Sequence, residues 1–477
     1  MSSSQTSGGK SKRRFVAGLL VIVGVLAFGV WYKFFRVVTV KYDSVEEEFK
    51  YGSIGTESPT GLPYWIWIVL PRMFPDKLPG PGGYVALGAS WEAGHELPIG
   101  FSKMTIGFER VGMNCAGCHT TSVRTNPNDP PKFYLGGPTS RFRAQDYARF
   151  LFACAHDPRF NSDDMMNAIG YSYKLSWIDS LLYRYILIPQ TRRALLKSEK
   201  VDYYWMPERP DWGPGRTDMN PFQRQVLKLP DDHTIGSTDM MPIWKERTHE
   251  GMFHHSDGLN TTLVESVRSA ALAAGATKDS INIAGLDRIQ AWLLDLPSPK
   301  YPYAINAESA ARGQHIFEAQ CASCHAPGGA RLGNVIPVTE VGTDRHRVDH
   351  WPQSSADAFN HYAQNYPWAF HHFRSSNGYV TYPLDGLWLR GPYLHNGSVP
   401  SLADLLKPVA DRPTIFYRGY DLFDQQNVGF VSAGPAAQQE GFRYDTSVPG
   451  NGNQGHVYGT DLAPESKRDL LEYLKTL

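Results

Sequence analysis

Two five-residue motifs of the same form constrain this chain more than any other feature. They are Cys-Ala-Gly-Cys-His at residues 115–119 and Cys-Ala-Ser-Cys-His at residues 321–325. Two cysteines separated by two residues and followed directly by a histidine are the signal for covalent attachment of a c-type haem. The thiols would bond the haem vinyl groups, and the histidine would be the proximal iron ligand. The motifs predict two covalently bound c-type haems, held by Cys115, Cys118, His119, Cys321, Cys324 and His325.

Other interpretations of the cysteines explain less. A four-cysteine zinc site or a thioredoxin-like redox pair accounts for the thiols, but not for a histidine in the same next position of both motifs. The chain has five cysteines, so Cys154 is left outside the motifs and no internal disulfide is expected. Cys154 lies in an apolar run with a helical pattern, which predicts a buried structural thiol.

Composition favours a large globular protein. A chain of 477 residues is long enough for about three domains, and 42% of the residues are hydrophobic. The 44 glycines, 34 prolines and many aromatic residues favour a loop-rich fold whose flat side chains line flat cofactors, although a large loop-rich core would need the same residues. The expected fold class is mainly α and loop-rich. Since no basic patch with interleaved aromatic residues stands out, no nucleic-acid partner is expected.

The N-terminus predicts a membrane anchor. Residues 15–32 form an uncharged run of 18 residues, just long enough to span a bilayer of about 30 Å. A basic cluster at residues 10–14 precedes the run, so the positive-inside rule predicts a cytoplasmic N-terminus and an exported body. A cleaved signal peptide is the alternative. The expected location is the bacterial inner membrane, single-pass, with the haem domains in the periplasm.

Three regions are expected along the chain. Residues 1–36 are the cytoplasmic stub and transmembrane signal anchor. Because a proline-rich stretch at residues 297–302 is the best boundary, residues 37–298 are predicted as a first haem domain with an N-terminal extension. Residues 299–477 are predicted as a second, class I cytochrome c-like haem domain.

The second region has helices where a class I cytochrome c has them. Residues 310–320 form a helical run that leads into the second motif, with Gly313 and Phe317 on one face. This resembles the N-terminal helix of class I cytochromes c, which crosses a C-terminal helix closely at the glycine. Residues 466–474 supply that partner, and by the same logic residues 286–296 close the first domain.

The segments before the first motif are less regular. Residues 37–100 are expected to be extended, and the apolar stretch at residues 63–70 is expected to be packed core rather than membrane surface. Residues 106–114 are glycine-broken, so no long helix is expected there. An internal repeat supports two related domains, because Gly258 and Gly397 are each preceded by Asp or Asn and followed at identical offsets by Leu and an acidic residue.

The sixth ligand of each iron decides between electron transfer and chemistry. No methionine follows Met252, so the second haem needs a histidine, and the candidates are His315, His346, His350, His361, His371, His372, His395 and His456. His456 stands out because it lies in a glycine-rich loop that can approach a haem closely, and His395 is the second choice. For the first haem the sequence leaves an open position or one of Met104, Met113, His249, His254 and His255.

Several segments resemble one known group of proteins. Residues 391–402, 413–430 and 445–456 look like the dihaem rubber oxygenases and their relatives in the bacterial dihaem cytochrome c peroxidase superfamily. The resemblance is thinner in the first domain, at residues 248–252 and 257–258. It implies two covalent haems, of which the second has bis-histidine ligation and passes electrons, and in the rubber oxygenases a first haem that binds oxygen.

The resemblance also sets limits. By motif position it implies His456 as the sixth ligand of the second haem. The peroxidase branch usually has a methionine on its C-terminal haem, and this chain departs from that pattern. The resemblance does not identify a substrate for this chain. Two function classes remain: an electron-relay cytochrome with two six-coordinate haems, and an enzyme whose first haem activates oxygen or peroxide. In both, the expected partner is an electron donor or acceptor protein, or a quinol.

Overall fold

The chain folds into a mixed but mostly helical structure. The computed structural model describes residues 7–477, with side chains from residue 12 onward. The helices are α1 (Ser7–Phe34), α2 (Val45–Tyr51), α3 (Tyr64–Met73), α4 (Ala144–His156), α5 (Ser162–Ser172), α6 (Trp177–Leu182), α7 (Ile188–Val201), α8 (Leu263–Ala273), α9 (Ile283–Leu293), α10 (Ala307–Gln320), α11 (Ala322–His325), α12 (Val338–Val341), α13 (His346–Asp349), α14 (Gln353–Tyr362), α15 (Leu402–Leu405), α16 (Pro435–Glu440) and α17 (Pro464–Leu474).

The strands are short and pair antiparallel. They are β1 (Val37–Val38), β2 (Leu62–Pro63), β3 (Phe101–Ile106), β4 (Phe108–Met113), β5 (Thr120–Val123), β6 (Lys132–Leu135), β7 (Arg216–Thr217), β8 (Thr238–Asp239), β9 (Val335–Pro337), β10 (Gly378–Val380), β11 (Ile415–Arg418), β12 (Phe423–Asp424), β13 (Gly429–Phe430) and β14 (Phe442–Asp445). One sheet has four strands in the order β1-β3-β4-β2, and the other sheets are two-stranded ladders.

α1 is the apolar helix expected at the N-terminus. Its stretch Lys12–Phe34 is long and apolar enough to cross a membrane, and that stretch is not buried against the rest of the chain. A signal sequence and an anchor both have this length and composition.

The region before the first motif contains more regular structure than the sequence indicated. It holds the hairpin of β3 and β4, whose register pairs Phe101 with Met113 and Ile106 with Phe108. Gly107 makes the turn with a φ of +73°, and a Cβ there would lie 2.3 Å from the carbonyl oxygen of Lys33. The expectation of an extended chain over residues 37–100 was wrong, because α2 and α3 form there.

The apolar stretch at residues 63–70 is packed core, as expected. It forms β2 and the start of α3, and Ile66, Trp67 and Leu70 are fully buried in the largest hydrophobic core. Cys154 on α4 is also fully buried in this core. The thiol is therefore structural, because no solvent reaches it.

α10 and α17 cross closely at Gly313. A Cβ on Gly313 would lie 2.0 Å from the backbone oxygen of Asp469. Arg312 binds Asp469 at 2.7 Å, and the rings of Phe317 and Tyr473 lie 5.1 Å apart. The helix crossing predicted from Gly313 is therefore confirmed, and the glycine is needed because another side chain would separate the helices.

A comparable helix pair stands in the first half of the chain. α9, which covers most of the predicted closing helix, packs against α2. Arg288 on α9 donates to Glu48 on α2 at 3.0 Å, and the rings of Phe49 and Trp292 lie 5.3 Å apart. The partner of the closing helix therefore comes from residues 37–100, where the sequence predicted an extended chain.

The internal repeat is confirmed in the backbone. His254 pairs with Asn260 and Tyr393 pairs with Val399, each as an isolated antiparallel bridge at equivalent positions of the two copies. The glycine of each copy has a positive φ, +67° at residue 258 and +63° at residue 397. A Thr or Ser then caps α8 or α15 with its side-chain oxygen.

Hydrophobic cores extend across the predicted boundary near residue 298. One of them combines Leu259 and Leu286 with Trp351 and Phe359, and another includes Trp244 with Leu387 and other residues of the second half. The two halves therefore pack against each other through apolar contacts. The limits 37–298 and 299–477 stay predictions.

Candidate haem sites

The second motif begins where α10 ends. Cys321 caps α10, and Cys324 and His325 lie on the single-turn helix α11. The Nδ1 of His325 is 2.9 Å from the carbonyl oxygen of Tyr382. A carbonyl only accepts, so Nδ1 donates and carries the proton. This leaves Nε2 as the unprotonated nitrogen that can bind iron.

His456 lies beside His325. The two ring centres are 6.3 Å apart and the rings are inclined at 47°. Imidazoles that bind one metal ion from opposite sides have ring centres about 6 Å apart, because each metal–nitrogen bond is about 2 Å and each ring adds roughly 1 Å. The spacing fits an iron ion between the rings. The role of His456 as a ligand stays a prediction.

The loop that carries His456 is held from several directions. His456 has a φ of +45°, and its backbone N–H donates to the carbonyl of Val341 at 2.8 Å. The buried guanidinium of Arg412 donates to the carbonyls of Asn453 at 2.7 Å, Gly455 at 2.8 Å and His456 at 3.1 Å. The position of the ring is therefore fixed by contacts with residues distant in sequence.

Burial keeps the second site's histidines neutral. It lowers the pKa of His325, and burial together with the neighbouring His325 lowers the pKa of His456 to about 4. A neutral imidazole is the form that binds a metal ion. Nδ1 of His456 is buried and has no hydrogen-bond partner among the described residues.

The other candidate histidines of the second half have different surroundings. His395 stacks on Tyr379 with ring centres 3.8 Å apart. His346 is 2.9 Å from a carboxylate oxygen of Asp344. His350 is fully buried with Nδ1 2.7 Å from the hydroxyl of Thr234, His372 is 2.7 Å from a carboxylate oxygen of Glu265, and the remaining three are exposed: His315, His361 and His371.

The first motif follows the β3–β4 hairpin. Asn114 accepts from the N–H of Ala116 at 3.0 Å and donates to the carbonyl of Gly52 at 2.9 Å. The asparagine therefore fixes the start of the motif against the end of α2. Burial raises the pKa of Cys115 to about 11 and of Cys118 to about 12, so both thiols of the unmodified chain are protonated.

A large cavity adjoins the first motif. Its volume is about 810 Å³, and Cys115, Cys118 and His119 line it together with side chains of α4, α7 and α8. Ligand cavities in proteins typically have volumes of about 300–1,000 Å³. Nδ1 of His119 is buried without a hydrogen-bond partner among the described residues, and burial lowers the pKa of His119 to about 4. A flat apolar cofactor fits these surroundings.

Four of the five candidate ligands of the first iron line this cavity. They are Met113, His249, His254 and His255, whereas Met104 lies on β3 opposite Arg110. His249 is 3.2 Å from Glu246. Nε2 of His255 is buried and has no hydrogen-bond partner in the described part of the chain. Burial lowers the pKa of His255 to about 3, so its ring is neutral.

Tyr382 contacts both sites, and the sequence interpretation missed it. Its carbonyl accepts from His325, and its hydroxyl donates to the carbonyl of Phe253 at 2.6 Å. Its ring centre lies 5.5 Å from that of His249. Nothing in the local sequence marks this residue, apart from the proline that follows it, because the contact depends on how the two halves pack.

Buried ion pairs join the two halves near the sites. Arg347 donates to Asp257 in the first copy of the repeat at 2.8 Å. Arg418 donates to Asp239 at 2.8 Å, and the side chains of both pairs are buried. Removing one partner of a buried pair leaves an uncompensated charge, which is strongly destabilising. The pairs therefore hold the two motifs in one relative position.

Comparisons with known proteins agree with these features. Residues 308–375 match the family described as "Cytochrome C oxidase, cbb3-type, subunit III", and residues 378–417 match the family described as "RoxA-like, cytochrome c-like". The first match contains the second haem motif, and the second contains Tyr382 and the second copy of the repeat.

Two proteins of Sinorhizobium fredii are similar to this chain. The uncharacterized protein y4iJ is 33% identical over 158 residues, which are 31% of this chain and 25% of y4iJ. The uncharacterized protein y4iM is 28% identical over 289 residues, which are 50% of this chain and 64% of y4iM. The chain thus spans less than two thirds of the length of these relatives. Residues 308–417 thus contain cytochrome c-like sequence of the cbb3-type and RoxA-like kinds, in a chain that carries two Cys-x-x-Cys-His motifs.

Proposed function

We propose that the chain is a membrane-anchored periplasmic dihaem cytochrome whose second haem transfers electrons and whose first haem binds oxygen or peroxide. The contrast between the two sites carries this proposal. At the second motif, His456 stands across from His325 at the spacing of two axial ligands. At the first motif, His119 lines a cavity of about 810 Å³. The second site would offer the iron an imidazole from each of two residues, whereas the cavity of the first site would hold the haem together with any small ligand of its iron.

The second site suits electron transfer because His325 and His456 would both bind the iron of a haem held there. His325 offers Nε2, since its Nδ1 is bonded to Tyr382. His456 offers a neutral ring from the opposite side. If both imidazoles bound the iron, it would have no open position for oxygen or peroxide. Arg412 holds the His456 loop in place, which keeps the ligand from leaving when the oxidation state changes.

The first site suits chemistry with a small oxidant. A haem supplies an iron that changes between ferrous and ferric states and that binds oxygen or peroxide where a coordination position is open. Apolar side chains such as Leu151, Phe152 and Leu259 line part of the cavity. His255 lines the cavity, and the Nε2 of its buried neutral ring, unpartnered among the residues that the structure describes, could hydrogen-bond a ligand of the iron.

Tyr382 supports electron exchange between the sites. Its backbone receives the hydrogen bond of His325, and its hydroxyl bonds to the backbone of Phe253 beside the cavity histidines. A path of covalent and hydrogen bonds therefore connects the second site to the wall of the first. The partner that supplies or accepts the electrons is, in this proposal, a redox protein or a quinol.

Location and domain limits complete the proposal. α1 is an anchor whose basic N-terminal flank stays in the cytoplasm, as the positive-inside rule requires. The haem regions at residues 37–298 and 299–477 then lie in the periplasm. Covalent attachment through all four cysteines of the motifs gives two haems per chain.

One observation favours a second candidate, a pure electron relay. His255 lines the first cavity, and its buried Nε2, which has no hydrogen-bond partner among the described residues, is chemically suited to bind the iron itself. If His255 does so, both irons are six-coordinate and the chain carries electrons without substrate chemistry.

Electron paramagnetic resonance of the full-length protein in detergent separates the candidates. The proposal predicts one low-spin ferric haem and one high-spin haem that binds cyanide. Two low-spin haems that do not bind cyanide would overturn the proposal and favour the pure electron relay. A His255→Ala variant then tests the ligand, because conversion of one low-spin haem to high spin is expected only if His255 binds the iron. His361→Ala, a change at an exposed histidine of α14, is the control.

A further inference from the structure

The helical segment that starts at Trp177 exposes apolar side chains. α6 continues through a π-helical turn, Tyr183–Leu187, into α7. Trp177, Leu181 and Tyr185 are 73%, 49% and 68% exposed. Their spacing of four residues puts them in one stripe. The opposite face is also apolar and is buried in the core through Leu182 and Leu187. A segment that is apolar on both faces is unusual for a surface helix in water.

The stripe is part of a larger surface. Ile178 and Ile186 flank it and are exposed, and Tyr171 and Tyr173 extend it at the end of α5. Arg72 lies over the ring of Tyr171 at 5.2 Å. We call residues 171–186 the aromatic face. Contiguous exposed apolar surfaces of this kind mark interaction sites, and tyrosine and tryptophan with nearby cations are the composition found at membrane interfaces.

The aromatic face lies beside the C-terminal end of α1. Nζ of Lys33 on α1 is 2.6 Å from a carboxylate oxygen of Asp179 in the aromatic face. Burial raises the pKa of Asp179, but hydrogen bonds from Lys33 and Ser176 outweigh it and lower that pKa overall. Trp31 and Tyr32, near the C-terminal end of α1, are also exposed.

The end of α1 is joined firmly to the folded body. β1 follows α1 and pairs with β3. The N–H of Gly107 in the β3–β4 turn donates to the carbonyl of Arg36 at 2.7 Å, and Phe34 packs on the largest core. The orientation of the aromatic face relative to α1 is therefore set by hydrogen bonds and packing rather than by a flexible linker.

We propose that the aromatic face is a second membrane contact, which lies in the headgroup region of the phospholipid bilayer that α1 spans. This inference rests on the proposed anchor. Trp177, Leu181 and Tyr185 enter the boundary between headgroups and acyl chains, where amphipathic aromatic side chains are favoured. Lys174, exposed beside them, stays at the level of the lipid phosphates.

Docking of this face fixes how the first haem site is presented. α7 continues directly from the aromatic face, and its residues Thr191, Ala194 and Leu195 line the cavity. With the face on the bilayer, this wall of the cavity is continuous with the membrane contact. The second haem site is then oriented by the same contact, since buried ion pairs hold the two halves together.

Spin labels on the full-length holoprotein test the inference. Three variants, each with one added cysteine, are spin-labelled and reconstituted in liposomes of phosphatidylcholine and phosphatidylglycerol: Leu181→Cys, Ile22→Cys and Ile415→Cys. The native Cys154 is buried and stays unlabelled. Each label's collision rate is measured with oxygen, which partitions into lipid, and with a water-soluble nickel complex. Ile415 is the matched control because it is an exposed apolar residue on β11.

The docked face predicts an oxygen-to-nickel collision ratio at residue 181 several-fold above that at residue 415 and approaching that at residue 22. A high ratio at residue 22 with a control-like ratio at residue 181 would overturn the docking and leave the anchor intact. Low ratios at both positions would overturn docking and anchor together. A label at residue 181 that neither reagent reaches would mean that protein covers the face, which also contradicts a lipid contact.

Discussion

The ring of His456 stands 6.3 Å from the ring of His325, centre to centre. The two residues lie on different elements, His325 on α11 and His456 in a glycine-rich loop before α17. We expect His456→Ala to convert the second haem from low spin to high spin, because the iron loses its sixth ligand. His315→Ala, a change at an exposed histidine of α10, should leave the spectrum unchanged. Persistence of the low-spin signal in His456→Ala would assign the ligand elsewhere, with His395 as the first residue to test.

Arg412 positions this ligand through the loop backbone. Its guanidinium donates hydrogen bonds to the carbonyls of Asn453, Gly455 and His456. Arg412→Ala leaves these acceptors unpaired, so we expect a loss of about 2 kcal/mol in the free energy of unfolding and a partial high-spin signal at the second haem. Arg443→Ala, at an exposed arginine of β14, is the control. A fully low-spin spectrum in Arg412→Ala would show that the hydrogen bonds of Arg412 are not needed to position His456.

Tyr382→Phe separates the two contacts of this residue. The variant keeps the backbone carbonyl that accepts from His325 but loses the hydroxyl bond to Phe253, at a cost of about 1 kcal/mol. We expect unchanged haem spectra and a several-fold slower electron exchange between the haems after pulse reduction. Tyr379→Phe removes a comparable hydroxyl–carbonyl bond, to Asp344, without contact to both sites. Equal exchange rates in wild type and Tyr382→Phe would exclude the proposed path.

Gly313 permits the close crossing of α10 and α17. Since a Cβ there would lie 2.0 Å from the backbone oxygen of Asp469, Gly313→Ala must push the helices apart. We expect a loss of about 1–3 kcal/mol in stability, measured as a lower thermal midpoint by the Soret absorbance. Gln314→Ala, on the exposed side of the same helix, should have little effect. If Gly313→Ala unfolds at the same thermal midpoint as wild type, the two helices can move apart without loss of stability.

His350 should make stability depend on pH. It is fully buried, and burial lowers its pKa to about 4, against about 6.5 in an unfolded chain. The unfolded chain therefore binds a proton below pH 6.5 that the folded chain does not, so stability falls as the pH drops from about 6.5 to about 4, by up to roughly 3 kcal/mol.

Urea unfolding in detergent, followed by tryptophan fluorescence at pH 7 and pH 5, measures this effect. The difference in unfolding free energy between the two pH values should be smaller in His350→Gln than in wild type. His361→Gln, a change at an exposed histidine, should retain the full difference. An identical pH dependence in His350→Gln and wild type would mean that other groups cause it.

The candidate site was predictable where it depends on short-range sequence. The spacing of each Cys-x-x-Cys-His motif places three groups within one turn of backbone, so residues 115–119 and 321–325 could be named without a structure. The α10–α17 crossing followed from Gly313 and Phe317, whose spacing puts them on one helical face. His456 was preferred because no methionine follows Met252 and because the loop around His456 is rich in glycine. Neither observation depends on the distance between His456 and His325.

The sequence by itself determined the two Cys-x-x-Cys-His motifs, the mostly helical class and the apolar N-terminal helix, because these follow from local spacing and composition. Only the tertiary structure decided which distant residues meet. It pairs α9 with α2, forms the β3–β4 hairpin before the first motif, opens the cavity around His255 and brings Tyr382 between the two sites. Such contacts depend on packing among segments far apart in the chain, and side chains that meet this way carry no periodic signal in the sequence.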